Sequence, residues 1–161
     1  SCLVGSEMCI RDRLHSEWRA RQLCELASMV DVTVSQETPD DNSWLVRMEG
    51  PALLPVAQEW TKGAVKTVPA QWRLSDRALQ VWALVAGVLD ESGMCFGLDA
   101  HIAQHEELRK RAAEALQKLG AASSYVGPRA GGPALRVVGQ RRLANVMTIV
   151  GEPPEDGSWD A

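Results

Sequence analysis

Residues 98–119 read LDAHIAQHEELRKRAAEALQKL, and this stretch decides the fold. Leu98, His101, His105, Leu108, Ala112, Ala115 and Leu119 step by threes and fours, with Ile102 and Leu116 beside them, which predicts one apolar stripe along helical chain. The stripe leaves open whether this is one helix or two. Gly120 follows as the natural residue to close a helix in the left-handed conformation. Downstream, Gly127-Pro128-Arg129-Ala130-Gly131-Gly132-Pro133 is loop chemistry, and the β-branched runs Ala134 to Val138 and Val146 to Val150 are expected to pair as strands.

Upstream, Leu14, Trp18, Leu23, Leu26 and Val30 predict an amphipathic helix. Val32 and Val34 alternate with Thr33 and Ser35. A turn-forming cluster follows at 38–43, and Trp44, Val46 and Met48 alternate again, so a hairpin with a long loop is expected. Leu53 to Trp60 reads as a short helix and 64–72 as a connector. Ser75 is an N-cap candidate, and Leu74 with Leu79 has the spacing of a hydrophobic staple. From Ala78 to Leu89 the chain is apolar nearly all round and predicts a buried central helix, stopped at Ser92-Gly93. No internal repeat is evident. The expected order is α-β-β-α-α-α-β-β: an α+β fold, one domain over 14–151, winged-helix-like in its C-terminal half. The tail, 152–161, holds two prolines and four acids and is expected to stay unordered.

Residues 1–13 stand apart. Back-translated, Leu3 to Asp12 (LVGSEMCIRD) resembles the end of a transposase-type sequencing-library adapter read in one frame, which implies that 1–13 is a translated artefact. Cys2, Cys9 and Met8 then carry no functional weight. Cysteine usage falls to Cys24 and Cys95, as expected of a reducing, cytoplasmic compartment. Arg outnumbers Lys by 13 to 4, a bias that GC-rich codons explain and that points to a bacterial or phage source. An apolar fraction of 45% and a charged fraction of 24% exclude a disordered chain, and the apolar run Val81 to Leu89 is too short to span a bilayer, so no membrane partner is expected.

Charge is unevenly divided. Residues 101–151 carry net +5, against −5 for 1–100 and −4 for the tail. The cations are Arg109, Lys110, Arg111, Lys118, Arg129, Arg136, Arg141 and Arg142. A basic helix followed by a Gly-rich loop between short strands has the layout of a winged-helix nucleic-acid reader, and AEALQKLGA at 113–121 loosely resembles the end of its recognition helix. The resemblance implies phosphate and groove contact through 98–142. A solvated helix face with codon-biased arginines accounts for the same residues without a ligand.

Two other functions compete with this one. Five tryptophans precede the tail in a chain with one Phe and one Tyr; Trp44 on the hairpin and Trp72 in the connector are the candidates for a protein-binding surface. His101 and His105 have the i, i+4 spacing of shared metal ligands, with Cys95 upstream, and define a small metal-dependent enzyme as the third alternative. The residue after His101 is Ile102, not the Glu of a zincin helix, and packing of both rings explains the spacing equally well. Lone cysteines in apolar contexts are core residues more often than nucleophiles. The loop 127–133 lacks the Gly-Lys-Ser/Thr ending of a phosphate-cradling loop. No cofactor motif and no catalytic residue is assigned.

Overall fold

The computed structural model describes residues 2–4, 7–14, 16–29, 33–38, 44–50, 61–62, 65–70, 72–127 and 132–160. They form an α+β fold in two compact units, Ser1–Glu59 and Trp60–Ala161. The helix expected at Leu53 to Trp60 lies outside the described residues.

In the first unit, strands β1 (Cys2–Val4) and β2 (Glu7–Leu14) form a hairpin, helix α1 (Glu17–Ala27) follows, and β3 (Thr33–Glu37) and β4 (Trp44–Gly50) form a second hairpin. The sheet is antiparallel in the order β1-β2-β4-β3. Residues opposite one another in a ladder share a face, so the register Leu14↔Trp44 and Asp12↔Val46 puts Leu14 and Val46 on one side. Both are fully buried, as are Trp18, Ala20, Leu23 and Ala27 on the inner side of α1. The adapter-like segment is thus paired into this sheet, Ile10 against Met48.

The second unit opens with a short ladder of β5 (Thr61–Lys62) and β6 (Val65–Lys66) and continues into helix α2 (Asp76–Ala86). Ser75 caps α2 by accepting from the Ala78 N–H at 3.1 Å, and the staple residues Leu74 and Leu79 are both buried, as the local sequence predicts. The helix does not run on to Leu89. It ends at Gly87, and Gly87–Asp90 becomes β7, hairpinned to β8 (Gly93–Gly97). A Cβ at Gly87 would lie 2.5 Å from the Ala83 carbonyl oxygen, so only glycine permits this abrupt passage from helix to strand. Asp90 closes the hairpin, its Oδ1 accepting from Ser92 N, Ser92 Oγ and Gly93 N at 2.8–3.1 Å. These bonds, Ser92's first, hold the Asp90 carboxyl below its ordinary pKa.

The 98–119 stripe is two helices, α3 (Ala100–Gln104) and α4 (Glu106–Lys118), separated by His105 in an extended conformation. Asp99 caps α3 through the His101 N–H at 2.9 Å. Ala112, Ala115 and Leu116 are buried, and His105 is exposed. After α4 come β9 (Ser123–Val126), β10 (Ala134–Val137) and helix α5 (Gln140–Val150). Two expectations are corrected here. The strand partnering 134–137 across the glycine-rich loop is 123–126, and 146–150 is helical. Taken over its full length between Gly139 and Gly151, that segment places Leu143, Val146, Met147 and Val150 at helical spacing, which outweighs its β-branched end.

The second sheet is antiparallel with the order β7-β8-β10-β9. Met94, Phe96, Leu135 and Val137 fill its helix-covered face; Trp82 packs on Phe96 at 5.2 Å and donates its indole N–H to the Gly97 carbonyl. The tail is placed against this unit instead of left free: Trp159 is 5% exposed, its indole N–H donates to Gly151 O, and its carbonyl accepts from Leu89 N at 2.9 Å.

The two four-stranded sheets share a strand order. The strands of each sheet follow the order hairpin, helical segment, hairpin, and the last strand inserts between the second and the third in both. In both, an arginine of that last strand faces a serine of the edge strand: Ser35↔Arg47 and Ser124↔Arg136.

Candidate nucleic-acid interface

The cations of 101–151 separate into three environments. Those of the first half of α4 are engaged within the chain. Arg109 donates to the Ala103 carbonyl and lies over the Tyr125 ring, 4.4 Å from its centroid. Arg111 donates to Val68 O at 2.7 Å and pairs with Glu107 at 2.9 Å, one helical turn away. Lys110 sits 3.9 Å from Glu106, an exposed i, i+4 pair. These side chains secure α4 to β9 and to the segment before α2.

Arg136 occupies the second environment, the sheet face opposite α2. Its Nε donates to Cys95 Sγ at 3.3 Å, and its outer nitrogen stands 3.9 Å from Asp90. The bond to Cys95 is the larger influence holding this guanidinium protonated beyond the usual arginine range. Cys95 and Arg136 are direct cross-strand neighbours, so the ladder register builds the contact.

The remaining described cations are Lys118, near the end of α4, and Arg141 and Arg142, in the first turn of α5. Helix α4 ends in a Schellman turn: Ala121 N donates to Leu116 O and Gly120 N to Gln117 O, both at 3.0 Å, with Gly120 at φ +79°. The Gly120 carbonyl accepts from Asn145 Nδ2 at 2.9 Å, tying α5 to the end of α4. Arg141 and Arg142 lie four and three residues before Asn145, hence on its face about one turn, roughly 5 Å, nearer the helix start. Lys118 lies two residues before Gly120. All three are exposed and form no ion pair among the described residues. No side chain caps α5, whose N-cap is Gly139, so its first amides and the positive end of its dipole reinforce the cations. Arg129 lies outside the described residues.

The other candidates are placed as follows. His101 and His105 meet edge to face with ring centroids 4.5 Å apart, and Cys95 does not join them: among the described residues no three His, Cys, Asp or Glu side chains gather as metal ligands. Burial raises the Cys24 thiol pKa, which disfavours the thiolate. Trp44 and Trp72 are half-buried, and Trp72 packs on Trp82 at 5.8 Å, at the outer end of a Trp72–Trp82–Phe96 stack. Among the described residues no helix is long and apolar enough to cross a membrane.

Asn145 is the residue that sequence reasoning missed, because its partner is a backbone carbonyl 25 positions away. Its only local signal is its spacing from Arg141 and Arg142. The sequence matches no family model and no curated protein.

Proposed function

We propose that this chain is a non-catalytic module that contacts nucleic-acid phosphates through Lys118, Arg141 and Arg142. The observation that carries the proposal is the Asn145–Gly120 bond, which joins the end of α4, where Lys118 is exposed, to α5, whose exposed Arg141 and Arg142 have no ion pair among the described residues. Phosphate recognition needs such a set: cations with no internal partner and backbone amides aimed outward.

From α2 onward the order is helix, hairpin, two helices, hairpin, and the last strand pairs with the strand before the two helices; the two helices followed by a hairpin are the part that favours a winged-helix-like reading, while a winged helix has no counterpart of β7. The contact moves, however, from the face of α4 to its end, because Arg109 and Arg111 are spent on internal bonds.

The test is titration of a labelled DNA duplex at two salt concentrations. Each phosphate contact contributes about −0.9 to the slope of log K against log salt. Binding that weakens steeply with salt is expected. No binding at low salt, or affinity indifferent to salt, overturns the proposal.

A further inference from the structure

The sheet of the second unit has two edges, and the chain treats them differently. The β7 edge meets the tail, whose Trp159 carbonyl takes the Leu89 N–H. At the other edge β9 pairs with β10 alone among the described residues, which leaves a row of backbone donors and acceptors available to another strand. Beside that edge, between β9 and α4, runs an open cleft of about 210 Å³ lined by Glu106, Arg109, Lys110, Ser123 and Tyr125. The Ser123 hydroxyl is buried there without a hydrogen-bond partner. Tyr125 is 42% exposed, among the most exposed large apolar side chains described.

We infer that β9 and this cleft receive an extended, acidic peptide segment of a partner protein, added as a fifth strand with a carboxylate set against Lys110. The chemistry selects that occupant. An open strand edge is satisfied by another backbone with alternating N–H and C=O groups, which a nucleic acid lacks. Two cations stand against one acid, Glu106, so the cleft favours a negative side chain. Its volume takes one or two side chains, not a folded element. A second copy of this chain is disfavoured, because α4 lies over β9 and edge-to-edge pairing would bring a second Arg109 and Lys110 against the first. The inference is independent of the phosphate-binding proposal, whose cations sit at the other end of α4.

The probe is a fluorescein-labelled, N-acetylated hexapeptide of alternating valine and glutamate, with its valine/lysine counterpart as control, titrated into the full chain by fluorescence anisotropy. The glutamate peptide binds and slows amide exchange at 123–126. Lys110→Glu, a change to an exposed side chain that leaves the fold intact, weakens binding about tenfold or more, the scale of losing one close charge pair at an interface. Four results each overturn the inference: no binding up to about 1 mM peptide; equal binding of the lysine peptide; displacement of the peptide by a DNA duplex, which would make the cleft a phosphate site; and a concentration-dependent dimer with β9 protected in the absence of peptide, which would make it a self-association edge.

Discussion

Replacing Gly120 by alanine probes the junction that assembles the proposed interface. Gly120 sits at φ +79°, where a Cβ costs about 1 kcal/mol or slightly more relative to glycine. The added Cβ would also lie 2.5 Å from Asn145 Nδ2, too close for the amide to stay. Asn145 must swing away, losing a 2.9 Å hydrogen bond worth about 1 kcal/mol net. Gly120→Ala should therefore destabilise by about 2–3 kcal/mol, and Asn145→Ala by about 1 kcal/mol. The double variant should cost less than the sum by about 1 kcal/mol, since removing the amide relieves the clash and the bond can be lost only once. Urea unfolding followed by tryptophan fluorescence measures all three. Strictly additive effects, or a Gly120→Ala cost below about 0.5 kcal/mol, would refute the argument, because surface changes without a named mechanism fall in that range. Duplex affinity supplies the functional readout: both single variants should weaken it without changing any charge.

Three further outcomes are expected. Arg141→Glu with Arg142→Glu should reduce the salt slope of duplex binding by about 2, while Arg111→Ala should leave that slope unchanged and lower stability, as titrations at several salt concentrations will report. Trp159→Ala should destabilise the second unit by about 3–5 kcal/mol in denaturant unfolding and speed exchange of the Leu89 amide; slow exchange in the variant would mean that the tail does not close β7. Asp90 has a folded pKa below its unfolded value of about 3.9, so its contribution is present above that value and is lost as pH falls through the folded pKa. Asp90→Asn should flatten the acid limb of the stability profile, and an unchanged acid limb would mean that the Ser92 and Gly93 bonds do not distinguish the ionised carboxyl.

Much of the local structure is legible along the chain. The cap at Ser75, the staple of Leu74 and Leu79, the helix-closing Gly120 and the hairpin with strands at 33–37 and 44–50 each depend on groups a few residues apart. The errors fall where a short run is ambiguous until its surroundings exist. Val88 and Leu89 continue an apolar helix pattern, yet Gly87 and the pairing with Cys95 and Met94 convert them to strand. Val146 to Val150 resembles a strand in isolation, but α5 is held by Gln80 donating to Ile149 O and by Asn145 donating to Gly120 O.

The candidate site divides in the same way. The eight cations and their concentration in 101–142 are properties of composition, visible without any fold. Which of them are spent on internal bonds, as Arg109 and Arg111 are, and which remain exposed, as Lys118, Arg141 and Arg142 do, depends on atoms distant in the chain. So does the topology shared by the two units, because strand order is a matter of which backbones meet and a hydrogen-bond ladder imposes little on side-chain identity beyond alternation. The sequence by itself determined the α+β class, the caps, the turns and the charge inventory, since these follow from short-range sterics and periodicity. Tertiary structure alone decided the pairing of 94–97 with 134–137, the break at His105, the docking of Trp159 and the bond from Asn145 to Gly120, since each is settled by contacts that form only when separate segments are packed together.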